Sequence, residues 1–415
     1  MTYSETEVAI IGGGAAGIAA GRRLREAGIE CLVIEARPRL GGRAWTIADA
    51  SGFALDLGCG WLHSADRNPW APIAEAQGRT VDKTPPAWTR PSLPIRFSLA
   101  EQQDYRKAMD AFYDRLEAIL AKGGDVAAAE ALEHNGRWNN LITAVGSYIS
   151  GSELGRMSAR DFVNYQDSEV NWTVVEGYGA TIAAAGAELR TALDCPVYRI
   201  DHNGKRLKVE TSKGAIVADQ VIVTLPTALL ADNEQLFTPT LPQKTLAARG
   251  LPLGLADKLF IALTQPEEFE PNSRVFGRTD RVATASYQLR PFGRPMIEAY
   301  FGGSNAEALE AEGERGFFDF AVSELTALFG SAFARRLKPL HMHRWGADPF
   351  ARGSYSYALP GMADCRAVLA APVDGRLFFA GEACSKGDFS TAHGGFNTGV
   401  SAADAVVAVR QGRHV

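Results

Sequence analysis

Residues 7–21 read Glu-Val-Ala-Ile-Ile-Gly-Gly-Gly-Ala-Ala-Gly-Ile-Ala-Ala-Gly, and residues 31–43 read Cys-Leu-Val-Ile-Glu-Ala-Arg-Pro-Arg-Leu-Gly-Gly-Arg. Val8 to Ile11 is a short apolar run of the kind buried in a parallel sheet. Gly12, Gly14 and Gly17 follow as G-x-G-x-x-G at the mouth of an Ala-rich helix that includes Ala16. The first glycine permits the tight turn, the second lets backbone approach a pyrophosphate, and the third lets helix and strand pack closely. A helix N-terminus there faces phosphate with free N–H groups and the positive end of its dipole. Gly28 fits the helix stop and Cys31 to Ile34 a second strand, with Glu35 at its end, eighteen residues after Gly17. An acidic residue near that offset accepts hydrogen bonds from an adenosine ribose. Together these features predict a dinucleotide site.

The next residues separate one dinucleotide from another. Glu35-Ala36-Arg37 leads through Arg39 to Gly41-Gly42-Arg43, and this E-A-x-x-R-x-G-G-R run resembles the second signature of the flavin amine oxidase superfamily. Physically, the glycine pair allows close backbone approach and Arg43 offers a guanidinium to a diphosphate. The resemblance points to FAD rather than NAD.

Length and composition agree with a two-domain soluble enzyme. The chain has 415 residues, 46% hydrophobic and 22% charged, with a formal net charge of −5. No long basic run is present, which argues against nucleic acid or an anionic membrane as partner. From the polar start no signal peptide is expected, and no stretch approaches the ~18 apolar residues of a membrane span. The five cysteines (31, 59, 195, 365 and 384) form no C-x-x-C pair, so a reducing, cytoplasmic setting is expected.

The nucleotide-binding pattern returns along the chain, so the expected fold is α/β, α+β in the second domain. A Rossmann-like FAD-binding domain with a ββα sandwich is assembled from residues 1–84, 177–238 and 352–415. Residues 85–176 and 239–351 form a mixed-sheet and helical substrate domain. Glu101 to Lys122 carries Tyr105, Met109, Phe112, Leu116 and Ile119 on one face of an amphipathic helix. Further expectations are a helix over 182–193, a type I′ hairpin at Asn203-Gly204, a strand over 218–225 stopped by Pro226, one long helix over roughly 305–330, and a closing helix over 399–410.

The resemblance now extends over the whole chain. Its marks are L-G-C-G-W-L-H from Leu57, E-G-Y-G from Glu176, a lysine in the hydrophobic strand Leu253–Leu263, W-x-x-D-P-F-A-R-G-S-Y-S from Trp345, F-F-A-G-E from Phe378, and T-A-H-G-G-F-N-T-G from Thr391. This is similar to the flavin monoamine and polyamine oxidases and their relatives the lysine-specific histone demethylases. The resemblance implies cofactor contacts from Gly58, Cys59, Gly60, Trp61, Val197, Trp345, Gly381 and Glu382. It also implies a helix N-terminus, with Thr391, Ala392, His393 and Gly394, beside the isoalloxazine.

Lys258 is the sharpest single candidate. From the strand alone it is either an edge residue snorkelling outward, the favoured reading, or one desolvated beside something polar; the resemblance implies a lysine that holds a water at flavin N5. Tyr355 is implied as one aromatic wall of a cage above the flavin, able to confine an amine by its quadrupole. Thr391 stands where a second tyrosine would close that cage, so Trp61 is the candidate partner, ahead of Phe292 and Trp345. Ser354 occupies the position used elsewhere for covalent attachment through cysteine, so FAD is expected to be non-covalent unless Cys384 or Cys365 substitutes. His63 could accept a proton or bond a distal amine. His341, His343 and His393 show no ligand grouping, and no metal is expected.

The resemblance implies oxidation of a primary or secondary amine by hydride transfer from its α-carbon to flavin N5. Imine hydrolysis and reoxidation by O2, giving H2O2, would follow in a monomer or homodimer. A general amine ranks slightly above a polyamine, because Asp167, Glu169 and Glu176 cannot be placed at a pocket mouth from sequence. A protoporphyrinogen oxidase or flavin desaturase is the alternative, and the lysine strand and the Tyr355 segment speak against it.

Overall fold

The computed structural model describes residues 4–413. Its larger sheet has eight strands. Glu5–Ile11 lies at the centre, parallel to Cys31–Ile34 on one side and to Gly214–Val223 on the other. Leu377–Phe379 pairs in parallel with Gly214–Val223. Leu207–Thr211 and Val197–Asp201 extend the sheet by antiparallel pairing, and Phe237–Thr238 adds in parallel at the edge. Val8, Ala9, Ile10, Leu32 and Val33 are fully buried, as an apolar run covered on both faces requires.

The glycine turn is dictated by close approach. Gly12 has φ +106°, and a Cβ on Gly17 would stand 1.9 Å from the Gly12 carbonyl oxygen. Helix Ala15–Glu26 therefore sits directly against its own strand. The closing helix packs on it in the same way, since a Cβ on Gly399 would meet the Ala16 carbonyl oxygen at 2.2 Å.

The second sheet is antiparallel, in the order Ser273–Phe276, Ser286–Leu289, Met296–Gly302, Ala256–Leu263, Leu337–Met342. Alternation divides its faces. Val275, Tyr287, Leu289, Ile297, Ala299, Leu259 and Ile261 turn to a core shared with Phe317, Ala321 and Leu325 of helix Glu314–Phe329. The other face carries Arg274, Ser286, Gln288, Glu298, Tyr300 and Lys258, all lining one cavity. Helix Leu99–Ala121 begins in a capping box between Ser98 and Glu101 and buries Phe112 and Leu116 in a separate apolar cluster.

Several local expectations need correction. The helix placed over 182–193 is Tyr178–Ala185, because the chain turns at Gly186 and joins the main sheet at Thr191–Ala192. Asn203-Gly204 forms no type I′ turn: neither residue has positive φ, and Asn203 instead donates from N–H and side chain to Asp201. The long helix over 305–330 is two, Gly303–Glu312 and Glu314–Phe329, broken where Gly313 adopts φ +80°. The closing helix starts at Ala392, seven residues earlier than 399, because Thr391 caps it by accepting from Gly394 N–H. The strand before Pro226 ends at Val223.

Candidate active site

A single cavity of about 1370 Å³ runs from the glycine turn to the polar face of the second sheet. That exceeds the roughly 300–1,000 Å³ of an ordinary small-molecule pocket, leaving room for a large cofactor and a substrate together.

The nucleotide end is built from backbone. Helix Ala15–Glu26 has no side-chain cap, so its first N–H groups stay available beside the lining residues Gly12, Gly14 and Ala16. A Cβ on Gly42 would lie 3.1 Å from Gly14 Cα, so the two glycine segments touch and no side chain intrudes. Glu35 accepts from Gly13 N–H at 2.6 Å and Arg37 N–H at 2.9 Å, which fixes its carboxylate at the cavity wall. Cys195 N–H donates to the Glu35 carbonyl and brings Val197 alongside. Ala36 and Arg37 line the same end, with Arg37 in a two-point pair to Asp348. This donor set fits a dinucleotide diphosphate and its ribose.

Farther in, Arg43 pairs with Glu382 at 3.0 Å and donates to the Ser354 carbonyl at 2.6 Å. Burial opposes the Glu382 charge, yet Arg43 foremost holds this carboxyl below the usual carboxylate range. Gly58, Cys59, Gly60, Trp61, Trp345, Gly381, Thr391 and Ala392 also line the cavity. Of the residues singled out for cofactor contact, Gly17, His393 and Gly394 do not; Gly17 and Gly394 serve close packing, Gly394 against the Asp388 carbonyl.

Lys258 sits in an inner strand, paired on both sides, so the edge reading is overturned. Its ammonium donates to the Asp56 carbonyl at 3.0 Å and pairs with Glu298 at 3.2 Å. Burial works against its charge, yet Glu298 foremost outweighs burial and lifts the lysine above its ordinary value. Behind it, the E-G-Y-G segment anchors the half-buried Asp56 carboxylate, which accepts from the Tyr178 and Gly179 N–H groups at 2.9 and 3.1 Å.

Tyr355 donates to the Tyr148 carbonyl and lies 3.4 Å, hydroxyl to hydroxyl, from Tyr300. Tyr300 was missed in the sequence, although the alternation Met296-Ile-Glu-Ala-Tyr-Phe-Gly puts it on one face with Glu298. Trp61 lines the cavity but packs edge-on against Trp88 at 4.4 Å. Trp345 donates to the Leu57 carbonyl, while Phe292 lines only a small side cavity of about 50 Å³. His63 is held by Asn171, Nδ1 to Oδ1 at 2.6 Å, and burial lowers its pKa.

Four carboxylates, Asp110, Glu117, Asp167 and Glu169, line the same cavity from exposed positions. Glu176 is elsewhere, bonded to Thr80. Asp110 and Glu117 were also missed; they lie on the polar side of the helix read only for its apolar face.

Comparisons with known proteins fit this geometry. The family model described as flavin containing amine oxidoreductase matches residues 97–407, and an NAD(P)-binding Rossmann-like domain matches residues 10–75. The chain is 30% identical to Probable polyamine oxidase 4 of Arabidopsis thaliana, over 96% of this chain and 86% of that protein. It is 30% identical to Polyamine oxidase 3 of Oryza sativa subsp. japonica, over 95% and 88%. Identity to Lysine-specific histone demethylase 2 of Homo sapiens is 26%, over 98% of this chain but 54% of that protein. Among solved structures, a putrescine oxidase redesigned in its cofactor binding shares the fold with a TM-score of 0.76 at 18% identity, covering 98% of this chain and 100% of its own. The family match over most of the chain and the relatives along nearly all of it lead to one conclusion: this chain belongs to the flavin-containing amine oxidase family and is an FAD-dependent amine oxidoreductase.

Proposed function

We propose that the substrate is an extended amine with more than one nitrogen, of the polyamine type. The observation that carries this reading is the four exposed carboxylates Asp110, Glu117, Asp167 and Glu169 lining the cavity that also holds Lys258, Tyr300 and Tyr355. From these exposed positions they give a distal ammonium opposite charge at the cavity wall, where an apolar amine would find none. Trp88 and Tyr113, 42% and 41% exposed at this cavity, give the intervening methylenes an aromatic surface. This reverses the slight preference for a general amine, which rested on having no carboxylate to place.

FAD, when bound, supplies the hydride acceptor and passes the electrons to O2, yielding hydrogen peroxide. The residues do the rest. Asn171 Oδ1 can only accept, so His63 carries its proton on Nδ1 and leaves Nε2 as acceptor for a substrate ammonium proton. A neutral amine results, with a lone pair free to assist loss of the α-hydride. Tyr300 and Tyr355 form the two aromatic walls that confine the reacting nitrogen. Two of the three Lys258 donors are used by Asp56 and Glu298, and the third would be left to hold a water beside the bound cofactor.

FAD is held non-covalently in this reading. Ser354 Oγ is spent on Ala256, donating to its carbonyl and accepting from its N–H. Neither Cys365 nor Cys384 lines the cavity, and burial pushes the Cys59 thiol up to about 12, leaving it a poor nucleophile. Five unpaired thiols favour the cytoplasm. The test is kcat/KM for spermidine, putrescine, benzylamine and octylamine, with peroxide counted against amine consumed. A preference for spermidine of tenfold or more supports the reading; equal or better use of octylamine overturns it.

A further inference from the structure

The cations that line the cavity are almost all paired. Arg37 has Asp348, Arg43 has Glu382, Lys258 has Glu298, and Arg352 has Asp232. Arg274 is the exception among the described residues. It lines the cavity, no carboxylate lies within ion-pair distance, and its buried Nε has no hydrogen-bond partner. Its guanidinium lies over the Phe276 ring at 4.3 Å.

Nearby groups repeat the pattern. The Tyr105 hydroxyl, close enough to influence Arg274, is also buried without a partner. Tyr148 has its hydroxyl committed to the Thr284 carbonyl. Ser286, diagonal to Arg274 across the neighbouring strand, lines the cavity with its hydroxyl unbonded among the described residues. Tyr105 and Ser286 are thus donors without an acceptor among the described residues. A guanidinium with its Nε shielded from water and no counter-ion is costly to keep, and a planar two-oxygen acid matches its fork best.

We propose that Arg274 receives a carboxylate of the substrate, so that the extended amine oxidised here also carries an acid group remote from the reacting carbon. The sheet sets the separation. Arg274 faces Gln288, Gln288 faces Glu298, and Glu298 faces Phe260 of the lysine strand. Three strand spacings put the two strands roughly 14 Å apart, and the arginine side chain spans part of that distance. A chain of several methylenes therefore separates carboxylate from amine. This proposal rests on the amine oxidase reading and narrows it: the rim carboxylates meet the nitrogens while Arg274 meets the acid.

The experiment uses the holoenzyme and two readouts. In the first, aminobutanoate, aminohexanoate and aminooctanoate, each with a terminal amine, are compared with butylamine, hexylamine and octylamine for kcat/KM. At least one acid is expected to exceed its alkylamine tenfold, with Arg274→Met abolishing that advantage and Arg274→Lys restoring part of it. In the second, calorimetry follows octanoate, which cannot be oxidised; Arg274→Met is expected to bind it at least tenfold more weakly at unchanged flavin content. Equal rates for acids and alkylamines, with octanoate binding indifferent to Arg274, would overturn the proposal while the amine oxidase reading stands. If no amine is oxidised at all, that reading fails, and octanoate binding still decides the carboxylate site.

Discussion

Lys258 and Glu298 stand on adjacent antiparallel strands and pair at 3.2 Å inside the cavity wall, their side chains 7% and 19% exposed. The pair keeps a charged ammonium where an apolar strand alone would discourage it. If that ammonium organises a reacting water, Lys258→Met should keep fold and flavin yet slow flavin reduction or reoxidation at least tenfold, about 1.4 kcal/mol of barrier. Stopped-flow traces matching wild type would remove Lys258 from the mechanism.

Glu298→Gln tests the same pair through pH. Glu298 raises the lysine above its ordinary value, so the charged form persists in alkali and is lost only as pH rises through that raised value. Without the carboxylate, burial acts unopposed by its main counterweight. The alkaline limb of the rate profile should move to lower pH. An unmoved limb would mean another group controls it.

The rim carboxylates predict a selective loss. Asp167→Asn combined with Glu169→Gln should lower kcat/KM for spermidine at least tenfold, about 1.4 kcal/mol, and change octylamine oxidation little. A uniform decline for both amines would show a structural role instead.

Cofactor attachment has a direct readout. Acid or heat should release intact FAD into the supernatant, since Ser354 is bonded on both sides to Ala256. Yellow colour retained on denatured polypeptide would contradict this.

Stability has its own weak point. Arg366 and Asp161, each 1% exposed, make two hydrogen bonds of 2.7 Å that tie helix Ala159–Asn164 to helix Cys365–Ala370. Asp161→Asn removes the carboxylate that pairs directly with a buried guanidinium and should cost about 3–5 kcal/mol. A fall in melting temperature of only a degree or two would contradict a loss of that size.

The nucleotide end was legible because backbone geometry dictates it: Gly12, Gly14 and Gly17 can satisfy strand, turn and helix together in few other ways. The lysine strand was legible as apolar sequence, but its inner place in the sheet was not, since that depends on Leu337–Met342 pairing from far along the chain. Tyr300, Glu298 and Arg274 escaped notice for a related reason. Each is one polar residue in an ordinary alternating strand, and nothing local says that its face meets a cavity instead of solvent. Local pattern also misled at Asn203-Gly204, where the Asp201 carboxylate captures the turn, and at Gly313, where one glycine divides what periodicity joined.

The period of two along Ser286–Leu289 and Met296–Gly302 bears on how such an enzyme can diversify. Ser286, Gln288, Glu298 and Tyr300 meet the cavity, while Tyr287, Leu289, Ile297 and Ala299, one position away, meet the helix-covered core. A lineage can exchange any of the first set without disturbing the second, so new specificities are reachable by single substitutions that leave the scaffold sound. Insertion of one residue has the opposite effect: it swaps the two sets and spoils recognition and core in the same step. Point substitution, rather than change in length, is thus the mutational route this wall leaves open.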